Sequence, residues 1–527
     1  MTNYYDNKLE DKYSSETDAK HRKSLGQFFT PFKVASFMAD WILDNKKKSL
    51  SLLDPATGLG IFERAIDSKN QDKKIAFDLW EIDKKISNIL PAALSEIEFE
   101  KNIITGDFLT SSWNKKYDGI IANPPYYKHH FIKNKNDIYQ QICSKTYFNF
   151  SIQTNIYCWF LIKAMNLLND GGKLAFIVPS EFLNANYGED IKKYLIQSGI
   201  VLHLINVNYK ESVFDNALTT SIIVLAEKNK INSSAINFFN VSKIEELSNL
   251  TTFLEKHERR EIDVKILDPK VKWRNYFNGY TKKEDKNLIP LSEIGKFSRG
   301  IATGSNEYFT LTLEQKNELN IPKECLIPCI TKSNFVKGIK FTKENFSELI
   351  NQNKKVYLFN GLISDNKDCT AYIKKGEQEG IHNRFLTKNR SPWYALEKRD
   401  LSNIWAPVFN RKGLKFIWNT SDCINLTCFH SFYPKKKEYL DVLFIYLNTD
   451  FAKKLFDREK REYGDGLDKF EPNDINKSLV LNFGILSEND FNNLKTLQTI
   501  FIDSTEDKRK DIMNQADSIF KNYYQLN

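Results

Sequence analysis

Residues 119–126 restrict the fold and chemistry of this chain more than any other stretch. Gly119 to Ala122 is a short apolar run, typical of a strand buried on both faces, and it stops at Asn123-Pro124-Pro125-Tyr126. A residue before proline avoids the helical region, so Asn123 is predicted to be extended at the strand's carboxyl end. The prolines stiffen the loop, which then holds one amide, the Pro124 carbonyl and one aromatic ring rigidly. That set suits a planar base with an exocyclic amine, although such a tetrapeptide alone also fits a plain turn.

A glycine-rich turn precedes this loop along the chain. Ser51 to Leu53 is predicted to be a strand, and it leads into Asp54-Pro55-Ala56-Thr57-Gly58-Leu59-Gly60 before an apolar helix start. The glycines let a ligand approach the backbone, and a strand, a turn and a helix form the first unit of a nucleotide-binding α/β fold. The acidic residue comes before the glycines, which suits a ligand with a cationic amine better than a pyrophosphate.

Two further carboxylates follow strand-like segments. Ile75 to Trp80 is predicted to be a strand ending at Glu81-Ile82, where a carboxylate is placed to bind ribose hydroxyls. Asp107 comes directly before Phe108, so the carboxylate could accept from an adenine amine while the ring packs on the base. Each acid alone fits a solvated loop equally well. Their order and spacing, all before Asn123, favour one nucleoside-binding site.

An amphipathic helix is predicted near the start of the chain. Val34, Phe37, Met38, Trp41 and Ile42 recur at helical spacing between Lys33 and Asn45. Thr30 is predicted to be its N-cap and Pro31 its first residue. The segment is either only a well-capped helix or one whose start receives a small anionic group such as a carboxylate.

Taken together, these motifs resemble the gamma class of S-adenosylmethionine-dependent DNA adenine-N6 methyltransferases. That class places a Phe-Thr-Pro element first, then Asp-Pro-Ala-x-Gly-x-Gly, then Asn-Pro-Pro-Tyr, and target recognition last. The chain keeps this order, and the resemblance covers about residues 24–226. It implies S-adenosylmethionine as cofactor and an adenine in double-stranded DNA as substrate.

The resemblance also implies roles for individual residues. It assigns Thr30, Asp54 and Ala56 to the methionine end, Glu81 to the ribose, and Ile82, Asp107 and Phe108 to the cofactor's adenine, with Gly58 also among the cofactor-binding residues. Asn123, Pro124 and Tyr126 match the catalytic loop, with Asn123 and Pro125 also beside the cofactor. Phe214 matches an aromatic that packs on the extruded base, and a core aromatic is the alternative.

The character of the chain changes beyond residue 235. Residues 246–286 are predicted to be a linker, and residues 287–527 a DNA target recognition domain that ends in a helix. Basic residues interleave there with aromatics and glycines, which suits DNA but also a solvated face. Candidate DNA contacts are Arg411, Lys412, Lys435, Lys436 and Lys437. The first 23 residues are polar and predicted to be flexible, and residues 24–245 to form the catalytic domain.

Composition bounds these hypotheses. The 527 residues carry a net charge of +9, which favours a polyanionic partner. Seven cysteines without a Cys-x-x-Cys pair fit a reducing cytoplasm. The histidines complete no zinc pattern, no signal peptide opens the chain, and no apolar run reaches about 18 residues. We therefore expect a bacterial or archaeal cytoplasmic protein with no metal and no membrane partner.

The sequence thus predicts a Rossmann-like, mostly parallel α/β domain followed by a mixed α+β domain. The predicted activity is site-specific methylation of adenine N6 in a restriction–modification or related defence system. We expect a monomer whose cognate endonuclease, where one exists, is a separate chain. The alternatives are an RNA or protein-glutamine N-methyltransferase, or a modification subunit that needs a partner for specificity.

Overall fold

A computed structural model describes residues 5–126, 134–185, 187–207, 221–229, 231–279, 286–363, 366–411, 413–463 and 467–524. Phe214 and Lys412 lie outside the described residues. The chain divides into two compact units, Met1–Thr281 and Lys282–Asn527, named unit 1 and unit 2 below.

Unit 1 alternates helices with strands. Its helices are α1 (Lys8–Glu16), α2 (Ala19–Ser24), α3 (Phe32–Leu43), α4 (Ile61–Lys69), α5 (Lys84–Ala93), α6 (Lys135–Thr146), α7 (Ile156–Asn166), α8 (Gly188–Ser198), α9 (Leu250–Lys256) and α10 (Arg274–Phe277). Its strands are β1 (Ser49–Asp54), β2 (Lys74–Glu81), β3 (Glu100–Thr105), β4 (Tyr117–Ala122), β5 (Leu168–Pro179), β6 (Val201–Val207), β7 (Ser221–Glu227), β8 (Ala235–Val241) and β9 (Arg259–Asp263).

The strands of unit 1 form a single sheet in the order β3-β2-β1-β4-β5-β7-β6-β8-β9. Strands β3, β2, β1, β4 and β5 run parallel, and β7 enters antiparallel between β5 and β6. The order reverses between β1 and β4, and ligands of open α/β sheets bind at such a switch point, beyond the carboxyl ends of the strands. This arrangement confirms the predicted mostly parallel α/β class.

Apolar side chains cover both faces of the sheet. Neighbouring residues of β4 point to opposite sides: Ile120 packs in a cluster with α7, and Ile121 in a cluster with α3 and α4. This alternation explains the apolar run in the sequence, because a strand covered by helices on both faces has no solvent side. Asn123 directly follows β4 and therefore lies at the carboxyl edge of the sheet.

Two predicted boundaries of the first domain are wrong. The N-terminal segment, predicted to be flexible, forms α1 and α2, because Tyr13 is buried and Glu10 forms a buried ion pair with Arg64. The predicted linker 246–286 contributes α9 and β9, and β9 pairs antiparallel with β8. Its high charge had indicated an exposed connection, whereas Phe253 and Leu250 bury the helix against the core.

Unit 2 mixes short strands and helices, as predicted for an α+β domain. Its strands are β10 (Leu288–Pro290), β11 (Gly295–Arg299), β12 (Thr310–Leu311), β13 (Leu326–Ile330), β14 (Lys340–Phe341), β15 (Tyr357–Phe359), β16 (Ile404–Pro407), β17 (Phe409–Asn410), β18 (Ile417–Asn419), β19 (Ile424–Asn425), β20 (Phe429–Pro434), β21 (Arg461–Tyr463), β22 (Leu467–Lys469) and β23 (Leu479–Leu481). Its helices are α11 (Asn306–Phe309), α12 (Leu313–Glu318), α13 (Lys343–Asn351), α14 (Lys367–Gln378), α15 (Leu440–Asn448), α16 (Asp450–Asp457), α17 (Pro472–Lys477), α18 (Glu488–Asp503) and α19 (Glu506–Lys521).

The largest sheet of unit 2 has the order β11-β20-β16-β18-β14. Helix α15 is buried along most of its length and packs against α16, α18 and α19. The helical C-terminus predicted from apolar spacing is confirmed by α18 and α19. Across the ranges that the structure describes, no helix combines the length and apolar character needed to cross a membrane.

Candidate cofactor and catalytic site

A cavity of about 270 Å³ lies at the carboxyl edge of the unit 1 sheet. Segments that follow β1, β2, β3 and β4 all contribute to its wall, as expected at a switch point. Of the predicted site residues, it is lined by Thr30, Ala56, Gly58, Glu81, Ile82, Asp107, Phe108, Asn123 and Pro125. Asp54, Pro124 and Tyr126 lie outside this lining.

The glycine turn after β1 is held by its own acid. Asp54 is fully buried, and its Oδ1 accepts a hydrogen bond from the Ala56 N–H at 2.9 Å. Gly58 and Gly60 have φ of +56° and +81°, left-handed values that favour glycine. Burial raises the pKa of Asp54 well above its usual range, and the nearby Glu63 carboxyl raises it further. Asp54 therefore acts on the cavity through the turn rather than at its surface.

Glu81 joins the turn to the end of β2. Its Oε2 accepts from the Gly58 N–H at 2.9 Å, and its Oε1 accepts from the Asp83 N–H at 2.7 Å. Burial raises the pKa of Glu81, and these two donors oppose the rise by favouring the carboxylate. Each carboxylate oxygen has two lone pairs, so both can accept a second donor such as a sugar hydroxyl.

The wall after β3 combines a carboxylate and an aromatic ring. Asp107 begins a short 3₁₀ turn, and its Oδ1 accepts from the Leu109 N–H at 2.9 Å. Phe108 is buried, and its ring centroid lies 5.4 Å from that of Phe160 on α7. Ile82, on the segment after β2, is 53% exposed. The sequence prediction that these residues share one site is consistent with this placement.

The Asn123 amide has a defined orientation. Its Nδ2 donates to the Phe28 carbonyl at 2.7 Å and to Thr30 Oγ1 at 3.0 Å. A carbonyl can only accept, so the NH₂ group must face Phe28. The Oδ1 atom is buried and has no hydrogen-bond partner among the described residues. The loop therefore presents one aligned acceptor beside the cavity.

Thr30 does not cap helix α3, contrary to the prediction. The helix begins at Phe32, with Pro31 as its extended N-cap residue. The Phe32 N–H donates instead to Asn7 Oδ1 at 2.7 Å, and Asn7 Nδ2 donates to the Thr30 carbonyl at 2.9 Å. A side chain from the N-terminal segment thus takes the capping role, which leaves the Thr30 hydroxyl to bind Asn123.

Tyr126 is anchored at both ends. Its N–H donates to the Gly26 carbonyl at 3.1 Å, and its hydroxyl donates to the Ile177 carbonyl at 3.1 Å. The ring stacks on Phe28 with centroids 5.3 Å apart. Burial raises the pKa of the Tyr126 hydroxyl, so the ring stays neutral at physiological pH. Residues 127–133, which follow it, lie outside the described part of the chain.

The N-terminal segment has a role that its sequence pattern did not predict. Ser24 to Gln27 line the cavity, and Asp83 holds this segment in place. Asp83 Oδ2 lies 2.9 Å from His21 Nε2 and accepts from Gln27 Nε2 at 2.9 Å. Leu9 and Tyr13, four residues apart on α1, pack in one apolar cluster, and this spacing is the signal that could have indicated a packed helix.

The predicted DNA-contacting cations lie in unit 2. Arg411 and Lys435 to Lys437 are exposed. Lys435 Nζ lies 3.8 Å from a carboxylate oxygen of Glu293, and Lys436 Nζ lies 5.2 Å from the Tyr439 ring centroid. They stay candidates.

Comparison with known proteins covers both units. The family model described as "Eco57I restriction-modification methylase" matches residues 41–214, and the "Type II methyltransferase M.Eco57I, C-terminal domain" matches residues 277–519. The chain is 40% identical to the type II methyltransferase M.AccI of Acinetobacter calcoaceticus, over 98% of this chain and 97% of that protein. The chain belongs to the type II methyltransferases of restriction–modification systems. The M.HindII type II methyltransferase of Haemophilus influenzae is 26% identical, over 82% of this chain and 85% of its own length.

Solved structures support the fold of this type II methyltransferase. The type IIL restriction-modification enzyme MmeI, in complex with DNA, superposes with a TM-score of 0.64 at 14% identity, covering 98% of this chain and 78% of MmeI. The DrdV–DNA complex superposes with a TM-score of 0.55 at 12% identity, covering 93% of this chain and 58% of the DrdV chain. At such identities the likeness concerns fold alone. The predicted family and the predicted combination of a methyltransferase sheet with a C-terminal domain are confirmed.

Proposed function

We propose that this methyltransferase transfers a methyl group from S-adenosylmethionine to N6 of an adenine in double-stranded DNA. The observation that carries the proposal is the orientation of Asn123. Its NH₂ group is bound by Phe28 and Thr30, and its buried Oδ1 has no hydrogen-bond partner among the described residues. An exocyclic amine supplies a donor for this oxygen.

The cavity residues fit S-adenosylmethionine. Glu81 would bind the ribose hydroxyls, Asp107 the adenine amine, and Phe108 and Ile82 the faces of the base. All four residues line the cavity. Thr30 and the Ala56–Gly58 turn would hold the methionine end. When bound, this cofactor supplies an activated methyl group on sulfur. In the described part of the chain, no three or more His, Cys, Asp or Glu side chains are grouped to hold a metal ion.

The catalytic loop acts on the amine itself. The lone pair of adenine N6 is delocalised into the ring, which makes it a poor nucleophile. Asn123 Oδ1 and the Pro124 carbonyl would accept its two hydrogens and favour a pyramidal nitrogen whose lone pair is available. Because the prolines and the two hydrogen bonds of Nδ2 fix these acceptors beforehand, little reorganisation is needed during the reaction.

The target amine lies within the duplex stack, so the base must be extruded, which costs a few kcal/mol. Tyr126 is proposed to offset this by stacking, since its ring is already fixed by Gly26, Ile177 and Phe28. Phe214 keeps its proposed role as a second stacking residue, although it lies outside the described residues.

Methylation at cytosine C5 is disfavoured, because that chemistry needs a cysteine nucleophile. Among the described residues that line the cavity there is no cysteine. Cys329, which follows a proline, lies on β13 of unit 2, and burial raises the pKa of its thiol well above the usual range. A thiol held protonated is a weak nucleophile.

Digestion and mass spectrometry of DNA methylated in vitro test the proposal. We expect N6-methyladenine at one sequence, made by the purified protein alone. N4-methylcytosine as the product would overturn the choice of base. Methylated RNA or methylated glutamine without methylated DNA would overturn the choice of substrate, and a need for added subunits would return recognition to a partner. We further propose a monomeric cytoplasmic protein whose cognate endonuclease is encoded separately.

A further inference from the structure

Two motifs of unit 2 that are far apart in sequence meet in the structure. The loop 300–305 follows β11, and Arg390 follows a short 3₁₀ turn. The Arg390 guanidinium donates to the carbonyls of Ala302 and Thr303, the latter at 2.8 Å. Gly304 has a φ of +85°, and a Cβ there would lie 3.1 Å from Leu386. The loop is therefore held in one conformation against residues 384–390.

An open groove lies along this junction. Its floor contains Thr303 and Ser305, which are 1% and 5% exposed. Its rim carries two exposed arginines, Arg299 and Arg384, together with Asn306. Arg384 Nη1 donates to Ser305 Oγ at 2.8 Å, which fixes the guanidinium over the groove. The volume is about 580 Å³.

The charge of the groove is positive overall. Lys388 lies nearby on the same segment as Arg384, with its Nζ 5.9 Å from the ring centroid of the 75%-exposed Phe385. Two acids face the cations: Glu307 in the lining, and Glu397, whose Oε1 is 4.0 Å from Arg299 Nη2. The lining itself carries two arginines and one carboxylate, a net charge of +1.

We propose that this groove is a DNA-contact surface, in which the guanidinium groups of Arg299 and Arg384 bind backbone phosphates. Arginine binds phosphate through paired N–H donors, and a rigid backbone lowers the entropy lost on binding. A polyanion suits the positive rim, and the exposed Phe385 beside it adds an apolar surface for a sugar or base. The inference deepens the proposed function, because it locates the contacts with its substrate.

The groove can be tested by binding of a mixed-sequence DNA duplex to the full-length protein at several salt concentrations. Arg299→Ala/Arg384→Ala should weaken binding about tenfold or more, given the strength of charged hydrogen bonds. The slope of log affinity against log salt should become shallower by about 1.8, which is about 0.9 for each phosphate that is no longer bound. The variant should retain wild-type affinity for S-adenosylmethionine, because both residues lie in unit 2.

Two further variants show whether DNA binding depends on the groove or only on the overall positive charge of the protein. Lys508→Ala/Lys510→Ala removes two exposed cations of α19 and should leave binding unchanged. Glu307→Gln removes a negative charge from the groove and should tighten binding several-fold. The proposal is overturned if the arginine variant binds DNA with wild-type affinity, or if the lysine variant loses as much DNA affinity as the arginine variant. If the wild-type protein itself fails to bind DNA, the proposed function fails first, so the two failures are distinguishable.

Discussion

Asn123 Nδ2 donates a hydrogen bond of 3.0 Å to Thr30 Oγ1. The two residues belong to the first and last motifs of the predicted site, and the bond makes the orientation of the Asn123 amide depend on the segment before α3. Together with the Phe28 carbonyl it prevents rotation of the amide, since a rotated Asn123 would point its oxygen at a carbonyl that can only accept.

Removing the Thr30 hydroxyl should therefore slow methyl transfer. In Thr30→Val the amide keeps only one fixed partner, and we expect the single-turnover rate to fall by about tenfold, the upper scale of one neutral hydrogen bond. Thr30→Ser keeps the hydroxyl and should remain close to wild type. Equal rates in Thr30→Val and wild type would show that Phe28 alone orients the amide.

Asn123→Ala should abolish methylation and leave the binding of S-adenosylmethionine and DNA nearly unchanged. The amide acts mainly as charge develops at the amine, so its loss lowers kcat rather than affinity. Rapid-quench kinetics with calorimetry for the cofactor measure both effects, and Asn114→Ala, an exposed position, is a control. A near-normal single-turnover rate in Asn123→Ala would remove Asn123 from the chemistry.

Much of this site was predictable because its parts are local in sequence. Each strand of the parallel core ends in a short motif, and the parallel order places those motifs at one edge of the sheet. Asn123, Glu81 and Asp107 could therefore be assigned to a common site from strand patterns alone.

Long-range contacts were not predictable from local patterns. The carbonyl that orients Asn123 belongs to Phe28, 95 residues earlier, and any residue could supply it. The N-terminal segment was predicted to be flexible because most of its residues are polar. The few buried residues that hold its helices in place, such as Tyr13 and Glu10, do not stand out in the sequence. In unit 2, Arg390 binds the carbonyl of Ala302, which is 88 residues earlier in the chain. The positions of the unit 2 cations therefore could not be predicted from their spacing in the sequence.

Glu81→Ala should weaken S-adenosylmethionine binding at least about tenfold, which equals about 1.4 kcal/mol. The substitution removes the proposed ribose acceptor and frees the N–H groups of Gly58 and Asp83. Asp54→Ala should weaken binding to a similar degree by loosening the turn at Ala56. Calorimetry measures both, with the exposed Glu96→Ala as control. Unchanged affinity in a folded Glu81→Ala variant would remove Glu81 from the site.

Glu63 should make stability depend on pH. It is fully buried, neither oxygen has a partner among the described residues, and burial raises its pKa to about 8 from 4.5. The folded state thus keeps a proton that the unfolded chain has lost, so the stabilisation is complete below the ordinary pKa and disappears as pH rises toward 8.

Glu63→Gln cannot titrate and should lack this loss. Between about pH 5 and pH 8, the free energy of unfolding of the wild type should fall relative to that of the variant, by at most about 1.4 kcal/mol for each pH unit. Urea unfolding at both pH values measures the difference, with the exposed Glu255→Gln as control. Parallel pH profiles for wild type and Glu63→Gln would contradict the assignment.

The last prediction concerns how the two units divide the work. Specific protein–DNA contacts bury about 1,000–2,500 Å² of protein surface, far more than one extruded base provides. A fragment of residues 1–281 corresponds to unit 1 and keeps β9 paired with β8. We expect it to fold and bind S-adenosylmethionine, but not to methylate a specific site. A fragment of residues 1–245 loses α9 and β9, so it should be less stable in urea. Methylation of the same DNA sequence by residues 1–281 at a rate comparable to that of the full chain would assign recognition to unit 1.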